Sequence, residues 1–480
     1  MNIRYVISLI GKILFIEALL MLLPFLVAVI YGEETVLAYA ASIAILLLVG
    51  GASFMFPPKS KLVRAREGLA VAGLSWIVVS LFGALPLWFS GDIPSYLDAV
   101  FEIVSGFTTT GASILTDVEA LSYSGLFWRS FSHWVGGMGV LVFALAILPS
   151  TDTQSMHLMR AEVPGLSVGK LAAKMRWSAS ILYIIYMVMT VILFLFLAFG
   201  GMPIFDAMVN AFGTAGTGGF AVKSASIAGY GSVYAEVVIT VFMLLFSLNF
   251  NIYFLLLAGS LKDLFKSEEL HWFLGIVAAS VAAIAINIFP LYRSIGQSLR
   301  YSSFQVASII STSGFATADY ELWPTFSKTI LVILMFFGAC CGSTGGGIKI
   351  ARVVIICKTA AARVKKQLFP RAVVPTKFEG KLLDREIEGG VAAYMSAYLI
   401  ILILSVLALS LDQFSLTTNF TAVAACLNNI GPGLETVGPS ASFAPLSAFS
   451  KLVLIFDMLA GRLELFPILI LFYPRTWKNS

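Results

Sequence analysis

The chain has 480 residues, of which 59% are hydrophobic and only 12% charged, with a formal net charge of +5. A soluble globular domain carries about twice that charged fraction, so the composition excludes an ordinary soluble enzyme and points to a polytopic membrane protein. The basic balance is no argument for a nucleic-acid partner, because basic residues gather on one face of any such protein and orient it.

Apolar runs of spanning length, about 20 residues, fall at 3–30, 36–56, 68–90, 126–149, 178–200, 233–259, 271–291, 327–357, 390–411 and 449–473. The first is too long, and too closely followed by the second, to be a cleaved signal. Between the runs the charge alternates. Lys59, Lys61, Arg64 and Arg66 crowd one loop, Arg160, Lys170, Lys174 and Arg176 another, and Lys262 and Lys266 a third. The segment 358–388 is the most basic, and the tail adds Arg475 and Lys478. The remaining loops carry Glu33, Glu34, Asp92, Asp117 and Glu119. The positive-inside bias therefore predicts cytoplasmic termini and basic loops. Cys340, Cys341, Cys357 and Cys426 lie in or beside apolar runs and imply no disulfide framework. His133, His157 and His271 show no metal-ligand spacing.

Four glycines, Gly111, Gly219, Gly314 and Gly431, each close a short polar stretch between two apolar runs, and all four fall on the predicted outer side. Polar backbone cannot face lipid; at membrane depth it is tolerated inside protein or around a water-filled path. Thirteen residues before each glycine stand Asp98, Asp206, Tyr301 and Thr418. Each opens a segment of about 10–14 residues, too short to span and suited to a re-entrant helix. The repeating unit is thus span, short helix, extended polar segment, span. The expected organisation is two N-terminal helices in 1–60, then repeats in 61–150, 151–265, 266–360 and 361–480, the last opening with a cytoplasmic linker.

The aligned triplets are Thr109-Thr110-Gly111, Thr217-Gly218-Gly219, Thr312-Ser313-Gly314 and Asn429-Ile430-Gly431. Rings of backbone carbonyl oxygens can replace the hydration shell of a cation, and aiming them inward needs backbone angles that glycine permits. The negative C-terminal ends of the short helices would favour cations. Helix packing on small residues is the plainer reading of any one glycine; four in equivalent places favour a ring.

Two features lie apart from the ring. Gly338-Ala-Cys-Cys-Gly342-Ser343-Thr344-Gly345-Gly346-Gly347, ending at Lys349 and Arg352, breaks the 327–357 run and should open it into a loop. It is not a phosphate-binding loop, since no Gly-Lys-Ser/Thr follows a strand. A packing kink and a flexible plug both remain open on the residues alone. Arg462 lies in the last run with Asp457 and Glu464 nearby, either as an arginine–acid pair or facing a pore. Glu102 and Arg129 read as a structural pair near the outer rim.

The chain resembles the Trk/Ktr/HKT superfamily of potassium transporters, and within it the Trk membrane subunits, over nearly its whole length. The resemblance rests on Ser105-Gly-Phe-Thr-Thr-Thr-Gly111, His133-Trp-Val-Gly-Gly-Met-Gly139, Thr217-Gly-Gly-Phe220, Gly342-Ser-Thr-Gly-Gly-Gly-Ile-Lys349, Asn428-Asn-Ile-Gly-Pro-Gly433 and Gly461-Arg-Leu-Glu464. The two N-terminal spans favour the Trk branch. The resemblance implies an all-α integral membrane fold with fourfold pseudo-symmetric, potassium-channel-like repeats after two extra transmembrane helices. It implies K⁺ uptake across a bacterial inner membrane, the twelve triplet residues as the selectivity filter, and Gly111 as the mark of K⁺ rather than Na⁺ conduction. The fourth triplet departs from the Thr-x-Gly pattern with Asn429. Residues 342–347, Lys349 and Arg462 become the gate. A homodimer and a separate cytosolic ring of nucleotide-binding subunits are implied as partners. Segments 358–388 and 151–177 are their expected docking sites, and no nucleotide is expected on this chain. A K⁺/H⁺ or K⁺/Na⁺ symporter on the same fold is the alternative. No paired carboxylates, zinc motif or Ser-His pair suggests an enzyme.

Overall fold

Long apolar runs become single helices where nothing polar interrupts them. The computed structural model describes residues 3–56, 65–139, 175–257, 259 and 266–477. Among these, six helices are long and apolar enough to cross a membrane, or seven if one bent pair counts as a span. Helices α1 (Ile3–Tyr31) and α2 (Val36–Ser53) pack against each other. Their crossing is close because a Cβ on Gly50 would meet the Gly11 carbonyl oxygen at 3.0 Å, the small-residue contact that membrane helices use.

Four repeats follow. The first comprises α3 (Ala65–Gly83), the short α4 (Leu85–Phe89), α5 (Tyr96–Phe107) and α6 (Tyr123–Gly137). The second comprises α7 (Met175–Phe199), α8 (Ile204–Gly216), α9 (Val233–Phe246) and α10 (Phe250–Leu257). The third has α11 (Glu268–Tyr292), α12 (Ile295–Ile310), α13 (Thr325–Phe336) and α14 (Ile350–Leu368). A two-stranded hairpin, β1 (Lys377–Phe378) with β2 (Lys381–Leu382), leads to the fourth. That repeat has α15 (Arg385–Leu409), α16 (Leu416–Leu427), α17 (Ala448–Arg462) and α18 (Phe466–Leu469).

The packing closes in a circle. Each short helix, α5, α8, α12 or α16, lies against the helix that follows it in its own repeat. Each also lies against the corresponding helix of the repeat before: α8 on α6, α12 on α9, α16 on α13 and α5 on α17. The expected all-α fold with four pseudo-equivalent units is therefore present. Serine side chains start three of the short helices, with Ser95, Ser294 and Ser415 accepting from Asp98, Gln297 and Thr418 N–H, the usual N-cap chemistry.

The apolar runs overestimate the unbroken helices. The 233–259 run bends by 90° between α9 and α10. The 327–357 run is interrupted from Phe337 to Lys349, and the 449–473 run turns at Glu464 and Leu465, both at positive φ (55° and 68°). Helix α6 ends at Gly137, and the rest of the 126–149 run lies outside the described residues. So do 151–174, most of the second expected docking segment, and the loop lysines Lys59, Lys61 and Lys262. Helix α12 begins six residues ahead of Tyr301, so the third short helix is longer than expected, at 16 residues.

Candidate functional site

All four short helices end in the same way. The N–H groups of Thr109, Thr217, Thr312 and Asn429 bond the carbonyl three residues back, at 3.0–3.2 Å. Those of Thr110, Gly218, Ser313 and Ile430 reach five back, at 2.8–2.9 Å. This is a Schellman closure, which demands a left-handed residue just past the helix. Here Thr109 (φ 56°), Thr217 (55°), Thr312 (61°) and Asn429 (55°) take that role. A β-branched residue there is an outlier, costing about 1–3 kcal/mol at sites where the surroundings enforce it. Two residues on, Gly111, Gly219, Gly314 and Gly431 are left-handed again, at φ 80°, 79°, 76° and 104°. Left-handed residues on either side of a right-handed or extended one turn successive carbonyls toward one side.

The glycines also fix how the segments meet. A Cβ on Gly111 would run into the Gly218 carbonyl oxygen, one on Gly219 into that of Ser313, and one on Gly314 into that of Ile430. On Gly431 it would meet the Thr110 oxygen at 2.8 Å. Each glycine abuts the middle residue of the next triplet, and the fourth abuts the first. The twelve triplet residues thus form one closed ring, with the C-terminal ends of four helices against it. Side chains brace it: Thr108 and Thr110 hydroxyls lie 2.8 Å apart, as do those of Ser311 and Ser313. Asn429 Nδ2 donates to Thr110 Oγ1 at 3.0 Å and to the Met458 carbonyl at 2.9 Å.

On one side of the ring, the side that the loop charges lead one to expect outermost, lies a cavity of about 310 Å³, lined by all four glycines. Against the opposite end lies the segment between α13 and α14. Its neck is tied by Gly338 N–H to Ile348 O (2.8 Å) and by a parallel bridge between Phe337 and Ile348. Glu269 on α11 accepts from Cys341 N–H (2.8 Å) and Ala351 N–H (3.2 Å), holding both sides of the loop. The loop occupies the bend of the second repeat: Cys340 N–H donates to Ser247 O (3.0 Å), and Phe250 N–H to Gly342 O (3.0 Å). It touches the ring directly, with Gly346 N–H on Thr312 Oγ1 at 2.7 Å. The Lys349 ammonium folds back onto the Gly345 and Gly346 carbonyls.

Arg462 closes this side. Its guanidinium donates to Thr344 O at 2.7 Å, to Gly137 O at 2.8 Å and to Gly136 O. It therefore clamps the loop to the end of α6. Glu464 pairs with Arg352 at the start of α14, and Asp457 accepts from Ser405 at 2.7 Å. A second cavity, of about 70 Å³, lies between the loop and Arg462. The gate residues expected from sequence, Gly342 to Gly347, Lys349 and Arg462, thus lie together, separate from the outer cavity and in contact with the ring.

The model of the TrkH family, described as cation transport proteins, matches residues 37–275 and 291–479. The chain belongs to the TrkH family of cation transport proteins. It is 36% identical to the Trk system potassium uptake protein TrkH of Salmonella typhimurium, with both chains fully covered. It is 31% identical to the Trk system potassium uptake protein TrkG of Escherichia coli K12, over 100% of this chain and 99% of that one. Its structure is similar to the crystal structure of the potassium transporter TrkH from Vibrio parahaemolyticus, with a TM-score of 0.90, 31% identity and both chains fully covered. The family is one of transporters, and this member is a multi-pass membrane protein.

The sequence carries no signal for Asn249, which caps α10 through Oδ1 on Asn251 N–H at 2.9 Å. For Glu269 the available clue is an acid just ahead of the 271–291 apolar run. Glu102 and Arg129 do pair, at 2.6 Å, fully buried beside the outer cavity.

Proposed function

We propose that this protein takes up K⁺ through the central ring, with the twelve triplet residues acting as a selectivity filter. The observation that carries this reading is the closed cycle of four glycines, each against the next segment's carbonyl. Such a ring can replace the hydration shell of a cation, and the names of the relatives supply potassium as the ion. Uptake needs no coupled ion: about 2.3 kcal/mol per charge per 100 mV corresponds to roughly fiftyfold accumulation, at 1.36 kcal/mol per decade.

The loop 342–347, Lys349 and Arg462 form the gate in this reading. Helix α14 supports control from the cytosol, because it begins where the loop ends and carries Arg363, Lys365 and Lys366. A cytosolic ring of nucleotide-binding subunits that displaces α14 would pull on the loop. The charge bias supports cytoplasmic termini in an inner membrane, and the family resemblance supports a homodimer. The sequence boundaries of the repeats, 61–150, 151–265, 266–360 and 361–480, belong to the same proposal.

A proton-coupled symporter is the second reading, and one observation favours it. Glu17 is buried in α1 with neither carboxylate oxygen hydrogen-bonded among the described residues, and Asp457 Oδ2 is likewise unpartnered. Reversal potentials of the reconstituted protein separate the two. An uncoupled pore follows the K⁺ gradient alone; a potential that moves with an imposed pH or Na⁺ gradient refutes it.

A further inference from the structure

The four exits of the ring are not joined alike. Segments two and three meet through Ala228 N–H on Ala316 O (3.2 Å) and Ala316 N–H on Ser226 Oγ (3.1 Å). Tyr320 OH donates to Gly433 O (3.1 Å) between three and four, and Phe443 N–H to Ser113 O (2.8 Å) between four and one. Segments one and two also meet through hydrogen bonds farther out, Val118 N–H on Ser224 Oγ (3.0 Å) and Ser224 Oγ on Asp117 (3.1 Å), but next to the ring this joint alone has a buried ion pair among the described residues.

Glu102 sits nine residues before Gly111, and both its oxygens are engaged. Oε1 accepts from Arg129 Nε (2.7 Å), Arg129 Nη2 (2.6 Å) and Ser113 Oγ (2.9 Å); Oε2 accepts from Ile114 N–H (3.0 Å). The Arg129 guanidinium then lies over the Phe220 ring, 4.0 Å from its centroid. Phe220 directly follows Gly219, and its carbonyl accepts from Ser130 Oγ at 3.4 Å. One unbroken chain of contacts therefore runs from the residues leaving segment one to the residue leaving segment two. The corresponding positions in the other repeats are Asn210, Gln305 and Ala422, all neutral.

A buried ion pair adds little net stability over a well-packed neutral pair, because desolvation offsets the attraction. Its distinctive property is fixed geometry: two guanidinium nitrogens converge on Oε1 while the Ile114 N–H holds Oε2, so charge-assisted bonds keep two elements in one register. We propose that Glu102, Arg129 and Phe220 are positioning residues that set the spacing of the first two filter segments at the outer end of the ring, and so contribute to discrimination between K⁺ and the smaller Na⁺. This rests on the ring being the filter.

The test uses the full-length protein in liposomes, with K⁺ and Na⁺ permeabilities measured for Glu102→Gln/Arg129→Gln, for Phe220→Leu and for Gly111→Ser. The double variant removes both charges while keeping amide hydrogen bonding, with a shorter side chain at 129; Phe220→Leu breaks the same chain without touching a charge. The K⁺/Na⁺ permeability ratio is expected to fall at least fivefold in the first two, with K⁺ flux retained. Charge reversal (Glu102→Arg/Arg129→Glu) is not needed, because Phe220→Leu reports even where the double variant does not fold. A ratio within twofold of the parent in Phe220→Leu, and in the double variant where it folds, overturns the proposal if Gly111→Ser still loses selectivity. An unchanged ratio in Gly111→Ser as well overturns the filter reading itself.

Discussion

Arg462 offers the sharpest test of the gate. Replacing it by glutamine removes a charged donor from three carbonyls, Thr344 and Gly137 at 2.7 and 2.8 Å and Gly136 beside them. Hydrogen bonds to a charged group contribute about 1.5–3 kcal/mol each. Arg462 is half-buried, so water replaces part of each bond, and about 1 kcal/mol apiece is the fitting figure for three. Only the Thr344 bond reaches the loop, so the docked state weakens by about 1 kcal/mol, which at 1.4 kcal/mol per decade raises the undocked population roughly fivefold. Basal K⁺ flux from liposomes, without any regulatory partner, should rise about fivefold in Arg462→Gln. Arg462→Lys should fall in between, because an ammonium cannot span three carbonyls with the planar fork of a guanidinium. Flux within twofold of the parent in a correctly folded Arg462→Gln protein would refute the clamp.

Three other outcomes follow from the same contacts. Gly346→Ala puts a Cβ at 2.7 Å from the Asn428 carbonyl oxygen and 2.9 Å from Asn429 Cβ, so the loop must lift off the ring, and basal flux should rise severalfold in the same assay. Glu269→Ala orphans the N–H groups of Cys341 and Ala351, at about 1–3 kcal/mol each; it should raise basal flux and lower the melting temperature in detergent, and a rise in melting temperature would exclude the anchoring role. In the loop after α4, burial lifts the Asp92 carboxyl above its ordinary value, although hydrogen bonds from Ser122 and Ser90 pull it back. The folded state then holds this proton more tightly than the unfolded one, so its contribution to stability is present at low pH and lost as pH rises through the raised value. Asp92→Asn should remove that fall, and melting curves across the acid range that keep the parent's slope would contradict it.

The ring was legible because its glycines answer a residue-type constraint: left-handed backbone against a neighbour's carbonyl admits no Cβ at Gly111, Gly219 or Gly314. Polar triplets between apolar runs could be found by composition alone. The left-handed Thr109, Thr217 and Thr312 could not, since threonine resists that conformation locally and only the Schellman closure, packed into a ring, enforces it. The 90° bend between α9 and α10 was equally hidden. Its cause is tertiary, because the backbone groups freed at Ser247 and Phe250 are satisfied by Cys340 and Gly342 of another repeat. Apolarity counts residues rather than hydrogen bonds, so it merged broken spans into single ones. Acidic neighbours in sequence also misdirect: Glu464 is two residues from Arg462, yet its ion pair is with Arg352, 112 positions away.

The central claim is that the closed glycine ring selects K⁺, and bi-ionic reversal potentials of the reconstituted protein with and without Gly111→Ser test it most directly. The substitution places a side chain at φ 80° against the Gly218 carbonyl oxygen, displacing one joint of the ring while leaving the loop and Arg462 untouched. The parent should reverse near the K⁺ potential, and Gly111→Ser should shift toward the Na⁺ potential with flux preserved. A parent that does not distinguish K⁺ from Na⁺, or a folded Gly111→Ser variant with the parent's reversal potential, would contradict the account.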